Sequence, residues 1–392
     1  MKRLLPIFLG FFLALQAYAI DLSTAIKMTL DNYPSIRALE AERIAIRGRS
    51  ELYRSFLNPS VGILLGNFGS SKERFSKAPV YSFSYSQPLA LDLRDYFRKV
   101  AQYQNVALDY RLQAERNRLT GEVMALFYEA LYRKEMVKLA EESLKISQDI
   151  YNFVKRLYEL GETTKLEFFR AERELLQSQR ELQMARSEYL SSLQILSHYV
   201  GVEVKDVEGD LFQTARFPSL DINRVPVVAE YDALLEAVKA QRNLEMRLAK
   251  PIWSLEVVGE KVGDTTYGYR VGVSSPLPVF YRREGELLQL QAREEALRRE
   301  KELILRRIEQ EYNASRILYE SYLKQIDNIE KKDLPVAEEE LALALKSYRL
   351  KVITLLELSD AKRRYLQTKK QRLDLFLALH REVAKITSIG GM

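Results

Sequence analysis

The sequence predicts a mainly α-helical chain with a small β part: long helices forming a coiled coil or α-helical barrel, and four amphipathic strands suited to a transmembrane β-barrel shared between chains. Three observations carry this. The chain repeats itself: Tyr158, Leu160, Thr164, Leu166, Glu167 and Ala171 recur 190 positions on as Tyr348, Leu350, Thr354, Leu356, Glu357 and Ala361. At an offset of 188, Tyr81, Ser86, Pro88 and Leu89 recur as Tyr269, Ser274, Pro276 and Leu277. Long stretches nearly free of Gly and Pro carry apolar residues in alternating steps of three and four, and short stretches carry them in steps of two.

The N-terminus comes first. Residues 1–19 have a basic start (Lys2, Arg3), an apolar run from Leu4 to Leu15 and a small-residue exit at Ala17 and Ala19, the pattern of a secretory signal peptide cut after Ala19. The run is short for a membrane span, which needs about 17–25 residues. No later stretch is apolar enough to span as a helix, so insertion would have to be as a β-barrel. The chain has no cysteine, which excludes disulfides, thiolate metal sites and an acylated N-terminal cysteine. Its 60 basic and 54 acidic residues leave a net charge of +6 spread along the chain, not gathered on one face as nucleic-acid binding would require.

The first repeat, residues 20–201, opens with helical patterns over Asp21 to Leu30 and Ile36 to Ser55, broken at Asn32, Tyr33 and Pro34 and stopped by Asn58 and Pro59. A hairpin follows. In its second strand Tyr81, Phe83 and Tyr85 alternate with Ser82, Ser84 and Ser86; its first, Val61 to Phe68, alternates less cleanly, with a loop around Gly69 to Lys72. From Leu91 to Tyr158 the only Gly or Pro is Gly121, so one helix of about 100 Å is possible. Its heptad (Leu119, Val123, Leu126, Ala130, Val137, Ala140, Leu144, Tyr151, Val154, Tyr158) is broken only at Arg133 and Ser147. A turn capped by Gly161 leads to a shorter helix, Thr164 to Tyr199.

Residues 202–225 read as a connector, and residues 226–392 as the second repeat. Trp253, Leu255 and Val257 alternate with Ser254, Glu256 and Val258. After a turn near Gly263 and Asp264, Tyr267, Tyr269, Val271 and Val273 alternate with Gly268, Arg270, Gly272 and Ser274. The second long helix, Phe280 to Tyr348, contains Pro335, which should kink it. In the second turn Lys351 replaces Gly161, so the two turns are expected to differ in backbone and charge. The last helix runs from Thr354 to Thr387.

Transmembrane barrels begin at 8 strands, so four per chain are either soluble or pooled between chains. The aromatic-serine alternation favours pooling, with Tyr81, Phe83, Tyr85, Trp253, Tyr267 and Tyr269 toward lipid and serines toward the lumen. In its duplicated unit, its Pro-bounded hairpins and its doubled helix-turn signature (Tyr158 to Ala171, Tyr348 to Ala361), the mature chain resembles the TolC-like outer membrane efflux proteins.

The resemblance implies a homotrimer in which three chains share one β-barrel in the outer membrane, continued by an α-helical tunnel through the periplasm, with 202–225 as an equatorial connector. It implies a passive exit duct of a tripartite efflux or type I secretion system, fed by an inner-membrane pump through a periplasmic adaptor. The turns Leu160 to Thr164 and Leu350 to Thr354 become periplasmic tips, with Tyr158, Gly161, Glu167, Tyr348 and Lys351 as gate residues. Glu357 and Asp360, i and i+3 on one helix face, fall where the family rings its constriction with carboxylates. The alternative for them is a solvated face beside Lys362, Arg363 and Arg364. Tyr348 and Glu167 fall where the family links inner and outer coils, although Ile353 stands where some members carry a supporting basic residue; Tyr348 reads equally as a heptad core aromatic.

No enzyme is expected. His198 and His380 are not repeat mates, neither has a second ligand at metal spacing, and both read as surface residues; no phosphate loop, nucleophile elbow, metal site or cofactor motif is present. A periplasmic coiled-coil scaffold or adaptor with soluble strands is the competing reading.

Overall fold

The computed structural model describes residues 19–52, 57–67, 79–90, 92–263 and 266–391; the proposed signal peptide and the loop at Gly69 to Lys72 lie outside them. The elements follow the repeat. After β1 (Ala19–Ile20) come α1 (Leu22–Asn32) and α2 (Pro34–Leu52), then β2 (Ser60–Asn67), β3 (Pro79–Pro88), α3 (Leu93–Glu159) and α4 (Lys165–Val200). Past β4 (Asp206–Val207) the order recurs: α5 (Pro226–Leu248), β5 (Ser254–Val262), β6 (Thr266–Ser274), α6 (Glu284–Asn328), α7 (Leu334–Arg349) and α8 (Leu355–Ile389).

The compact units are not the repeats. One comprises residues 1–37, 114–225 and 308–392, the other 38–113 and 226–307, so each draws on both copies and α3 contributes to both. The expected boundaries at 201 and 226 mark sequence copies, whereas burial is organised between copies.

In the second unit the strands form one antiparallel sheet in the order β2-β3-β5-β6. Val61, Ile63 and Leu65 face Tyr85, Phe83 and Tyr81; Tyr85 faces Val257, and Val257 faces Val271. Successive side chains alternate between faces. One face therefore carries Val61, Ile63, Leu65, Tyr81, Phe83, Tyr85, Leu255, Val257, Tyr267, Tyr269, Val271 and Val273, all exposed. The other carries Ser82, Ser84, Ser86, Glu256, Glu260 and Arg270, with Leu64, Val80, Val258 and Val262 as apolar exceptions. Glu260 and Arg270 pair on it. Where the strands give way to helices, Ala90 and Leu93 bury against Leu244 of α5. Two ion pairs fix the long helices to α5: Arg247 with Asp92 at the start of α3, and Glu245 with Arg283 before α6.

In the first unit a core of Val123, Phe127, Ala130, Leu196, Val207, Leu211, Phe376 and Leu379 joins α3, α4, α8 and the connector. The connector is thus part of the core. β4 pairs in parallel with β1, and Lys134 Nζ donates to Asp206 Oδ1 at 2.7 Å and to the Val207 carbonyl at 2.8 Å. Gly121 is where α3 and α8 approach most demandingly: a Cβ there would lie 2.4 Å from Ser388 Cβ and 2.5 Å from the Ala384 carbonyl oxygen. Pro335 does interrupt the second long helix. Ile329–Asp333 form a turn of π-helix between α6 and α7, and the proline sits in the first turn of α7, where its missing N–H is tolerated.

His380 corrects the expectation of two surface histidines. His198 is exposed, but His380 is fully buried, stacked on Tyr128 at 3.6 Å between ring centroids, and its Nε2 donates to the Leu211 carbonyl at 2.9 Å. Tyr128 of α3 supplies the cover and Leu211 of the connector the acceptor, neither of which a helical pattern around residue 380 reveals.

Candidate functional site

The two turns lie in the first unit, one between α3 and α4 and the other between α7 and α8. They share one backbone plan. The Gly161 amide donates to the Tyr158 carbonyl and Glu162 to Leu157; Lys351 donates to Tyr348 and Val352 to Ser347. The expected difference in backbone is overturned, because Lys351 adopts φ +58° beside +73° for Gly161. Left-handed backbone costs a non-glycine residue about 1–2 kcal/mol. The charge difference stands: Lys351 Nζ donates to Glu162 Oε2 at 2.9 Å, tying one turn to the other.

After each turn a threonine caps the next helix. Thr164 Oγ1 accepts from the Glu167 amide at 3.2 Å, and Thr354 Oγ1 from the Glu357 amide at 3.3 Å. Glu357 completes a capping box by accepting from the Thr354 amide at 2.8 Å and hydroxyl at 2.9 Å, which lowers its pKa. Glu167 accepts instead from the Thr163 hydroxyl. The Thr-x-x-Glu spacing, present in both copies, is the sequence signal that identifies both glutamates as helix-start residues.

The implied link between Tyr348 and Glu167 is not made. Tyr348 packs in a core of Ile150, Val154, Ala171, Leu355 and Leu358, edge-on to Phe153 at 5.8 Å. Its hydroxyl is buried with no hydrogen-bond partner among the described residues, and burial, aided by the Glu167 charge, pushes its pKa up to about 12. The core-aromatic alternative describes it. Tyr158 is half-exposed and stacks on Phe168 at 5.1 Å. Asp360 lies one turn beyond Glu357 and pairs with Arg363 and, at 2.9 Å, Arg364; Arg364 also reaches Glu340 at 2.5 Å. Both carboxylates are therefore engaged within the chain, one by backbone and one by arginines.

Sequence reasoning missed a polar layer beyond that core. Lys362, 4% exposed, donates to Ser147 Oγ at 2.5 Å and Glu174 Oε1 at 3.0 Å; Ser147 bonds Ser178 at 2.7 Å, and Ser359 donates to Glu174 at 2.8 Å. Its signal was the heptad exception at Ser147, which is the buried acceptor of this lysine. Among the described residues no cluster could hold a metal ion, and no helix is long and apolar enough to cross a membrane. Of the strand residues expected to meet lipid, Tyr81, Phe83, Tyr85, Tyr267 and Tyr269 lie on the apolar face, and Trp253 lies exposed one residue before β5.

Residues 25–202 match the family model described as outer membrane efflux protein. No curated protein sequence matches the chain. Solved structures do. One is CusC, whose structures concern conformational changes accompanying folding and transmembrane channel formation: TM-score 0.80, 17% identity, covering 96% of this chain and 94% of that one. The Campylobacter jejuni CmeC outer membrane channel gives a TM-score of 0.79 at 13% identity, over 94% and 85% of the two chains. The open state of the Neisseria gonorrhoeae MtrE outer membrane channel gives 0.76 at 19% identity, over 94% and 89%. At these identities the likeness is one of fold.

Proposed function

We propose that this chain, whose residues 25–202 match the outer membrane efflux protein family model, is the passive exit duct of a tripartite efflux or type I secretion system, gated at its periplasmic end. The observation that carries this is a sheet with an exposed apolar face and a polar opposite face, built into the same chain as two long helical hairpins. An exposed apolar face of this extent needs a partner, and lipid is the partner that an outer membrane strand meets.

Three chains share one barrel in this reading. Four strands are too few to close, and β2 and β6 each have one neighbour, leaving two edges to be paired. Ser82, Ser84, Ser86, Glu256, Glu260 and Arg270 then line the lumen. Transport energy comes from an inner-membrane pump reached through a periplasmic adaptor, so the duct supplies a path and a gate but no chemistry. The gate is the pair of turns, held by Lys351 with Glu162 and by Asp360 with its arginines. Opening exchanges these contacts, and an adaptor favouring the open arrangement shifts the balance.

The test is single-channel recording in planar bilayers. Glu357→Ala with Asp360→Ala should raise conductance or reduce cation preference; unchanged values would remove these carboxylates from the constriction. Cell fractionation tests the duct itself, which soluble periplasmic recovery would overturn.

A further inference from the structure

We propose that the helix-side rim of the sheet is a collar for anionic phospholipid headgroups: Lys99, Lys250 and Arg282 hold headgroup phosphates while Leu89, Trp253, Leu277 and Phe280 enter the acyl boundary. This rests on the reading that the apolar sheet face meets lipid.

The register places the start of β2, the end of β3, the start of β5 and the end of β6 along one edge. Each carries an exposed large apolar residue just outside its strand: Leu57, Leu89, Trp253, and Leu277 with Val279 and Phe280, the last 99% exposed. The Leu89 amide donates to the Trp253 carbonyl at 2.7 Å, joining two of these positions directly. The row continues the apolar face of the sheet, so the surface that meets lipid in the strands does not end at their termini.

A neighbouring strand does not by itself hide this row. Leu89 stays exposed although β5 of the following repeat lies beside β3. Its repeat mate Leu277 would stand in the same relation to the first strand of a neighbouring copy.

Charge identifies the occupant. Outside the strands the acids around this rim are already engaged: Asp92 by Arg247, Glu245 by Arg283, and Asp95 by Arg98 at 3.0 Å. Glu286 accepts from the Tyr281 hydroxyl at 2.6 Å, and Glu284 from the Arg282 amide at 2.8 Å. By contrast, Lys99, Lys250 and Arg282 are exposed and form no ion pair among the described residues; Arg282 makes one side-chain bond, from Nε to the Pro278 carbonyl at 3.3 Å. An exposed apolar row bordered by cations with no acid of their own complements a layer of phosphates, and the flexible stems of Lys and Arg reach such a layer by snorkelling.

The chain's single tryptophan, Trp253, is the probe. The full-length protein is reconstituted in phosphatidylcholine vesicles containing equal fractions of brominated phosphatidylglycerol or brominated phosphatidylcholine, and Trp253 quenching is compared. Brominated phosphatidylglycerol should quench more, with local enrichment of roughly fivefold per engaged cation at low salt. The preference should fall as salt rises and vanish in the combined Lys99→Gln, Lys250→Gln and Arg282→Gln variant. Equal quenching by both lipids, a preference insensitive to salt, or one that survives the triple substitution overturns the collar alone. Quenching by neither lipid, as when a second copy covers the rim, overturns the lipid-facing reading with it. The salt series on the unmodified protein decides the matter if the variant does not fold.

Discussion

Lys351 Nζ lies 2.9 Å from Glu162 Oε2, so the residue that replaces Gly161 in the repeat reaches the turn that contains Gly161. The lysine holds a left-handed backbone that glycine would adopt without strain. An ion pair this exposed returns at most about 1 kcal/mol, against a backbone cost of about 1–2 kcal/mol. The lysine therefore lowers stability locally while linking the two hairpins.

Replacing it should separate these effects. Lys351→Gly should match or exceed the parent in stability, and Lys351→Ala should fall about 1 kcal/mol below Lys351→Gly by chemical denaturation. Lys351→Gly and Glu162→Gln should both shorten closed dwell times in planar bilayers. Closed times equal to the parent's in both variants would remove this pair from the gate.

The repeat also predicts how chains join. Tyr85 faces Val257 across β3 and β5. Val273 is the repeat mate of Tyr85, and Ile63 that of Val257, since Ile63 faces Phe83 as Val257 faces Val271. Val273 of one copy should therefore face Ile63 of the next. A chain carrying Val273→Cys and Ile63→Cys should oxidise to covalent trimers on denaturing gels, with no background because the chain has no cysteine. Val273→Cys with Leu64→Cys, on opposite faces, should not; cross-linking of the control in place of the first pair would mean another register.

Burial holds the His380 imidazole pKa below its usual 6.5, with the Leu211 hydrogen bond and Asp210 opposing. The unfolded chain then binds the extra proton first, so stability is unaffected above 6.5 and falls as pH drops from there toward the folded-state value. His380→Gln should lose that acid-side slope in thermal melts across the range. An identical slope in the variant would place the acid sensitivity elsewhere.

Lys362 is buried with partners on α3 and α4. Lys362→Met should cost about 1–3 kcal/mol by leaving Glu174 and Ser147 short of a donor. Adding Glu174→Gln should recover part of that loss, because the uncompensated charge is removed. A double variant no more stable than the single would show that charge pairing is not what this layer contributes.

The fold was legible where it rests on period and repetition. Tyr81 to Ser86 could alternate only as a two-faced strand, and Leu119 to Ala130 only as a helix with a buried stripe. Gly121 was visible as the sole glycine in its helix, but its reason, the approach of Ala384 and Ser388, lies on α8. Features that depend on a distant partner were hidden. His380 reads as surface until Tyr128 and the connector are packed against it, and the positive φ of Lys351 contradicts the residue's own preference. At the candidate gate, glutamates chosen by position in a family pattern are helix caps, which the neighbouring threonines already signalled.

The turn of π-helix at Ile329–Asp333 has no counterpart in α3, which runs unbroken from Leu93 to Glu159. A duplicated chain could in principle close as a ring of six equal members. With a joint in only one copy, a ring of three chains instead alternates jointed and unjointed members. In the proposed trimer, bending would then be confined to every second long helix, giving the ring a threefold mechanical order in place of a sixfold one.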